Sequence, residues 1–142
     1  MAASSFRVDI VSAEKEIFSG DAEMVVASAE LGEVGIAPGH TPFITRIKPG
    51  EIRVKAVGDT EDLAIYVSGG ILEVQPHVVT VLSDTALRVD DIDEAAAQQA
   101  KEEAEAALSK AGNKPGEIDY VAVQAQLAEA SAQLQLIKKL RK

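Results

Sequence analysis

The 142-residue sequence predicts an N-terminal antiparallel β-sandwich of about eight to ten strands over residues 1–89 and a C-terminal antiparallel two-helix hairpin over residues 90–142. Three observations predict it. Apolar and polar residues alternate in short bursts from Phe6 to about Arg88; turn signals punctuate that stretch; and after residue 89 the apolar spacing changes to three and four.

The bursts are Phe6, Val8, Ile10; Ile52, Val54, Ala56; and Leu63, Ile65, Val67. A period of two puts one face of each strand in a core and the other in water. Between the bursts stand Ser19-Gly20-Asp21, Pro38-Gly39, Pro49-Gly50, Gly58-Asp59, Gly69-Gly70 and Pro76-His77, each read as a turn. No segment before residue 90 has the pattern of a crossover helix, which argues against a parallel α/β sheet. Apolar residues make up 46% of the chain but aromatics only 4%, so Val, Ile, Leu and Ala must supply most of the core.

The helical stretch opens at Val89-Asp90-Asp91-Ile92-Asp93-Glu94, where Asp91 and Glu94 are spaced as a capping box. Good helix formers continue to Ala111. Gly112-Asn113-Lys114-Pro115-Gly116 then breaks the helix, and Asp119 is placed to cap a second one reaching about Leu140. So short a connection predicts an antiparallel hairpin. In the second helix Val123, Leu127, Ala130, Leu134 and Ile137 form one seam; in the first, Ala97, Ala100, Ala104, Ala107 and Ala111 form another. An alanine methyl adds only about 0.8 kcal/mol of burial, so the hairpin should be strongly helical yet weakly docked. It is either an undemanding appendage or one selected to open. Lys138, Lys139, Arg141 and Lys142 make its end basic, which suits an acidic partner and equally complements a helix dipole.

Charge narrows the partners. The formal net charge is −9, which argues against broad contact with nucleic acid or anionic lipid. Residues 1–90 hold 14 acids and seven bases, residues 91–142 nine acids and seven bases, so the sheet part is the more acidic. There is no cysteine, hence no disulfide or thiolate chemistry. Runs such as Met24 to Ala27 are too short to cross a bilayer, and Met-Ala-Ala-Ser-Ser does not open like a secretory signal.

No constellation in the sequence supports catalysis. His40 and His77 both fall in turn-like sequence, and two histidines alone make a poor metal site. There is no Gly-x-Ser-x-Gly elbow, no phosphate loop and no dinucleotide fingerprint. The densest unusual patch is Gly32-Glu33-Val34-Gly35-Ile36-Ala37-Pro38-Gly39-His40-Thr41-Pro42. Its glycines and prolines impose a compact path, read as a tight sheet corner. Loops on rigid sheets also present binding groups, and Glu30, Glu33 and His40 are the candidates.

That patch, with Ile47-Lys48-Pro49-Gly50, Ser68-Gly69-Gly70-Ile71-Leu72-Glu73-Val74-Gln75-Pro76 and Val79-Thr80-Val81-Leu82-Ser83-Asp84-Thr85-Ala86, resembles the epsilon subunit of F-type ATP synthases. Val8 to Glu14 and Asp91-Ile92-Asp93-Glu94-Ala95 extend the resemblance over practically the whole chain. The resemblance implies a β-sandwich followed by a helical hairpin in a non-catalytic rotor subunit of the central stalk, coupling c-ring rotation driven by a proton gradient to ATP synthesis. It implies a sandwich that binds the gamma subunit and rests on the c-subunit ring through Glu30, Gly32, Glu33 and His40. It further implies a hairpin that extends into the alpha/beta catalytic head and restrains hydrolysis, with Lys138, Lys139, Arg141 and Lys142 as its tip. Location would be peripheral, on the cytoplasmic face of a bacterial inner membrane and through the complex alone. No catalytic residue, metal, cofactor or nucleic-acid partner is expected. Members that bind ATP on the hairpin carry an arginine where this chain has Ala96, and no arginine precedes Arg141 in the second helix, so ATP binding is expected to be weak or absent. A free-standing binding module and an enzyme with a pocket near His40 or His77 are the competing readings.

Overall fold

The computed structural model describes residues 5–111 and 119–140. The expected break at Gly112-Asn113-Lys114-Pro115-Gly116, and Arg141 and Lys142, lie outside the described residues. The chain divides into two compact units, Met1–Val89 and Asp90–Lys142.

Among its described residues the first unit has seven strands: β1 (Phe6–Val11), β2 (Glu16–Ala29), β3 (Gly32–Ile36), β4 (Phe43–Ala56), β5 (Leu63–Val74), β6 (Val78–Leu82) and β7 (Ala86–Arg88). Three of them are long: β4 and β5 stay paired with each other along their length, while the neighbours on their other edges, and those of β2, change partway. The first half of β2 pairs with β1 and the second half with β3 and β4. The first half of β4 pairs with the second half of β5, which also pairs with β6, while the first half of β5 pairs with β7. One layer is therefore built from β3, β7 and the later part of β2, the later part of β4 and the earlier part of β5. The opposite layer takes β1, β6 and the three remaining halves, a sandwich whose layers share strands at their corners.

Three expected turns are these corners. Ser19-Gly20-Asp21 lies inside β2, next to register shifts at Ala22/Met24; Pro49-Gly50 lies inside β4; Gly69-Gly70 lies inside β5. Glycine and proline relax the backbone at a corner as they do in a turn, but here pairing continues through it, as in Pro49 opposite Ser68. Pro38-Gly39, Gly58-Asp59 and Pro76-His77 do lie between strands. All pairings are antiparallel except β1 with β6, which is parallel and joins Val8 to Val79 and Ile10 to Val81. The β1–β2 connection is held by Ser12, whose hydroxyl accepts from the amides of Glu14 at 3.3 Å and Lys15 at 3.2 Å.

The alternation places the core as expected. Val8, Ile10, Ile52, Val54 and Ile65 are fully buried, with Phe6 and Val67 nearly so. Leu72, Val74, Val79 and Val81 complete an almost wholly aliphatic cluster, in which Phe6 is the aromatic ring among the described buried members.

In the second unit a 3-10 turn, Val89–Asp91, precedes α1 (Glu94–Ala111), and α2 spans Tyr120–Leu140. Asp91 sits in that turn and does not cap α1. Asp93 does so, its Oδ1 accepting from the Ala96 amide at 3.0 Å. The turn moves the helix start two residues downstream, with Ile92 buried between. Asp119 caps α2, its Oδ1 accepting from the Ala122 amide at 3.1 Å. The helices pack on each other along the expected seams: Ala97, Ala104, Ala130 and Ile137 are buried, and Ala100, Ala107, Val123, Leu127 and Leu134 are half-buried. Leu136 is buried as well, so the covered part of α2 is wider than the seam.

Candidate partner-binding surface

Among the proposed contact residues, Glu30, Gly32 and Glu33 share one hairpin and His40 lies past the other end of β3. β2 and β3 end at the pair Ala29 and Gly32, leaving Glu30 and Leu31 as a two-residue connection. Gly32 takes φ = 134°, a conformation that a residue with a side chain rarely adopts, so the tightness of this hairpin depends on glycine. The Glu30 amide donates to the Arg46 carbonyl at 3.0 Å, tying the connection to β4. Glu30 is exposed, and Leu31 is fully so at 100%.

Glu33 is not a free acid. Its Oε1 receives Arg53 Nη2 at 2.8 Å, and Arg53 Nε reaches Glu51 Oε1 at 3.1 Å. Glu33 stands opposite Ser28 on β2, and Arg53 opposite Val26 on the other side of β2, so the bridge spans an intervening strand.

His40 belongs to the β3–β4 loop. Its Nδ1 is 2.7 Å from the Thr41 carbonyl, so that nitrogen carries the proton and Nε2 is left as an acceptor. Its ring lies 6.3 Å from that of Phe43. Gly39, at φ = 79°, donates its amide to the Pro76 carbonyl at 3.2 Å, which fastens this loop to the β5–β6 turn. The presentation of both ends of β3 is thus set by backbone bonds to neighbouring segments.

Leu31 and Arg53 were not singled out by sequence. Continuing the alternation Val25, Ala27, Ala29 makes Leu31 look like the next inward residue, yet β2 ends before it. Arg53 acts on a partner 20 positions away, which only the strand register reveals.

An open cleft of about 410 Å³ lies elsewhere on the sandwich, at the β5 corner, lined by Val11, Ser12, Gly70, Ile71, Leu82 and Asp84 among others. Ser68 and Ser83 flank it, but their hydroxyls are engaged. Ser83 donates to the Thr85 carbonyl at 2.9 Å, and Ser68 Oγ accepts from the Thr85 amide at 3.0 Å. Among the described residues no three His, Asp or Glu side chains are grouped to hold a metal, and no helix is long and apolar enough to cross a membrane. Lys138 and Lys139 are exposed at the end of α2, and Ala96 is exposed in the first turn of α1.

Comparison with known proteins gives this arrangement its family. Residues 5–89 match the beta-sandwich domain of the ATP synthase delta/epsilon chain, and residues 90–138 match its long alpha-helix domain. The chain is 60% identical over 139 residues to the ATP synthase epsilon chain of Janthinobacterium sp. (strain Marseille), covering 98% of this chain and 97% of that one. It is 60% identical over 140 residues to the corresponding chain of Nitrosococcus oceani, covering 99% and 97%. The fold is shared with a chain in the structure of the Euglena gracilis mitochondrial ATP synthase OSCP/F1/c-ring, at 20% identity and a TM-score of 0.78, covering 93% of this chain and 81% of that one. A chain from the Tetrahymena thermophila mitochondrial ATP synthase central stalk and c-ring superposes with a TM-score of 0.61 at 12% identity, both chains fully covered. With both domains matched in order and close relatives matched almost end to end, this chain belongs to the epsilon chains of ATP synthase.

Proposed function

We propose that the chain is a non-catalytic rotor subunit of the central stalk, coupling c-ring rotation driven by the proton gradient to ATP synthesis. The observation that carries this is the match to both family domains and, at 60% identity, to bacterial epsilon chains over nearly their whole length. In this reading the sandwich binds the gamma subunit and meets the c ring through the hairpin of Glu30, Gly32 and Glu33 and the loop of His40. The chain sits peripherally at the cytoplasmic face of the bacterial inner membrane, held there by the complex. The exposed, acid-bearing hairpin tip supports a polar contact, and its backbone anchoring suits a junction that must not slip.

The helical unit is the regulatory part, extending toward the alpha/beta head with Lys138, Lys139, Arg141 and Lys142 at its tip. The small residues buried in its seam, Ala97, Ala104 and Ala130, support ready separation, since each alanine contributes little apolar area of its own. The test is ATP hydrolysis by the cognate head depleted of this chain, before and after adding back the full chain or a form ending at Val89. The full chain is expected to bind and lower hydrolysis, and the short form to bind without lowering it. If neither lowers hydrolysis, the hairpin has no inhibitory role; if neither binds, the rotor reading fails.

Ala96 offers no guanidinium to a phosphate, and α2 contains no arginine among its described residues. Calorimetric titration of the full chain with ATP is therefore expected to give no binding in the micromolar range.

A further inference from the structure

We propose that Arg53 is a positioning residue for docking on the ring, acting through Glu33 and Glu51 to hold the β2–β3 hairpin at a set angle to the sheet. This rests on the reading of that hairpin as the ring contact.

Among the described residues β3 is an edge strand that pairs with β2 alone. A two-residue connection at the end of such a ribbon can twist, because one edge of the ribbon carries no ladder. Arg53 restrains it from outside. The guanidinium lies on β4, two strands away from β3, and its Nη2 meets Glu33 at 2.8 Å across the intervening β2. Its Nε is held at 3.1 Å by Glu51, whose side chain is only 13% exposed and so offers a well-fixed anchor. The planar fork makes both contacts at once, each end fixing the other.

The arrangement also alters what a partner meets. Glu33, exposed as it is, shares the Arg53 guanidinium with Glu51, so its charge is held in place and partly offset, while Glu30 and the fully exposed Leu31 stand at the tip. The hairpin therefore presents its acids and the apolar Leu31 in one fixed geometry. That accounts for an acidic patch serving as a positional element.

The test compares two assemblies lacking this chain, the soluble head and the head with its c ring, each titrated with full-length variants. Arg53→Gln and Glu33→Gln are each expected to weaken binding to the ring-bearing assembly about threefold, the scale of a partly exposed ion pair, and to leave binding to the ring-free head unchanged. The double variant should bind no more weakly than either single one. Arg53→Lys should recover less than half of the loss, because an ammonium cannot hold two carboxylates in the fork geometry. Losses that multiply in the double variant, or a loss of equal size in both assemblies, would overturn the positioning role. Leu31→Ser separates the two levels: if it leaves ring-bearing binding untouched, the ring contact itself is wrong and the proposal falls with it; if it weakens that binding while Arg53→Gln does not, only the proposal falls.

Discussion

Gly70→Ala is expected to destabilise the sandwich by about 4 kcal/mol, a large fraction of the stability of an ordinary domain. Two costs coincide at this corner of β5. Gly70 has φ = 138°, outside the range that residues with a Cβ occupy at low cost. A Cβ there would lie 2.0 Å from the Leu82 carbonyl oxygen and 3.0 Å from the Ser83 Cα, both backbone atoms of the adjoining strand and its exit. No side-chain rotation relieves that contact, so β5 or β6 must shift, with the pair Ile71 and Leu82 beside it. The neighbouring Gly69→Ala should cost less, since its Cβ would approach the Ile47 carbonyl only to 3.3 Å. Gly20→Ala, where the Cβ would meet the Phe18 ring at 3.4 Å, should be close to neutral. Thermal unfolding followed by strand amide signals checks the order. Gly70→Ala should lower the sandwich midpoint by more than about 15 °C, and equal shifts at the three glycines would refute the argument.

Ile52→Ala should cost about 3 to 4 kcal/mol, nearly as much as the glycine change, by a different route. Ile52 is fully buried at the centre of β4, opposite Ala27 on one side and Ile65 on the other. Ala27 has no side chain that could swing into the space left behind. The aliphatic, close-packed surroundings offer no polar group to hold a water there, so the cavity stays empty. Ile52→Val removes one methylene and should cost about 1 kcal/mol. Native-state hydrogen exchange of the β4 and β5 amides separates sandwich stability from that of the helices. A three-carbon truncation that costs no more than the single methylene would show that the site can collapse.

Much of this fold was legible because two local rules operate independently of topology. Alternation marked Val8, Ile10, Val54 and Ile65 as inward residues, and spacing of three and four marked Ala97, Ala104, Ala130 and Ile137 as the helix seams; all are buried. The failures share a cause. Glycine and proline report that the backbone departs from an extended path, but Gly58-Asp59 reverses the chain while Gly69-Gly70 merely bends it. Which occurs depends on whether pairing with other strands survives the bend. The parallel pairing of β1 with β6 is equally invisible locally, since it unites segments some 70 positions apart. The β2–β3 hairpin was half legible. Glycine at position 32 signalled its tight geometry, whereas the exposure of Leu31 depends on where a strand stops, and the pairing of Glu33 with Arg53 depends on register.

The three long strands that turn from one layer into the other have a mechanical consequence. In a sandwich whose layers meet only through side chains, a sideways load on one sheet is resisted by dispersion contacts that can slide past one another. Here β2, β4 and β5 each run unbroken from layer to layer. A shear between the layers must therefore stretch or bend covalent backbone at three separate corners. Such a body yields little before it unfolds, and a push received on one face is delivered at the other with small loss to internal deformation.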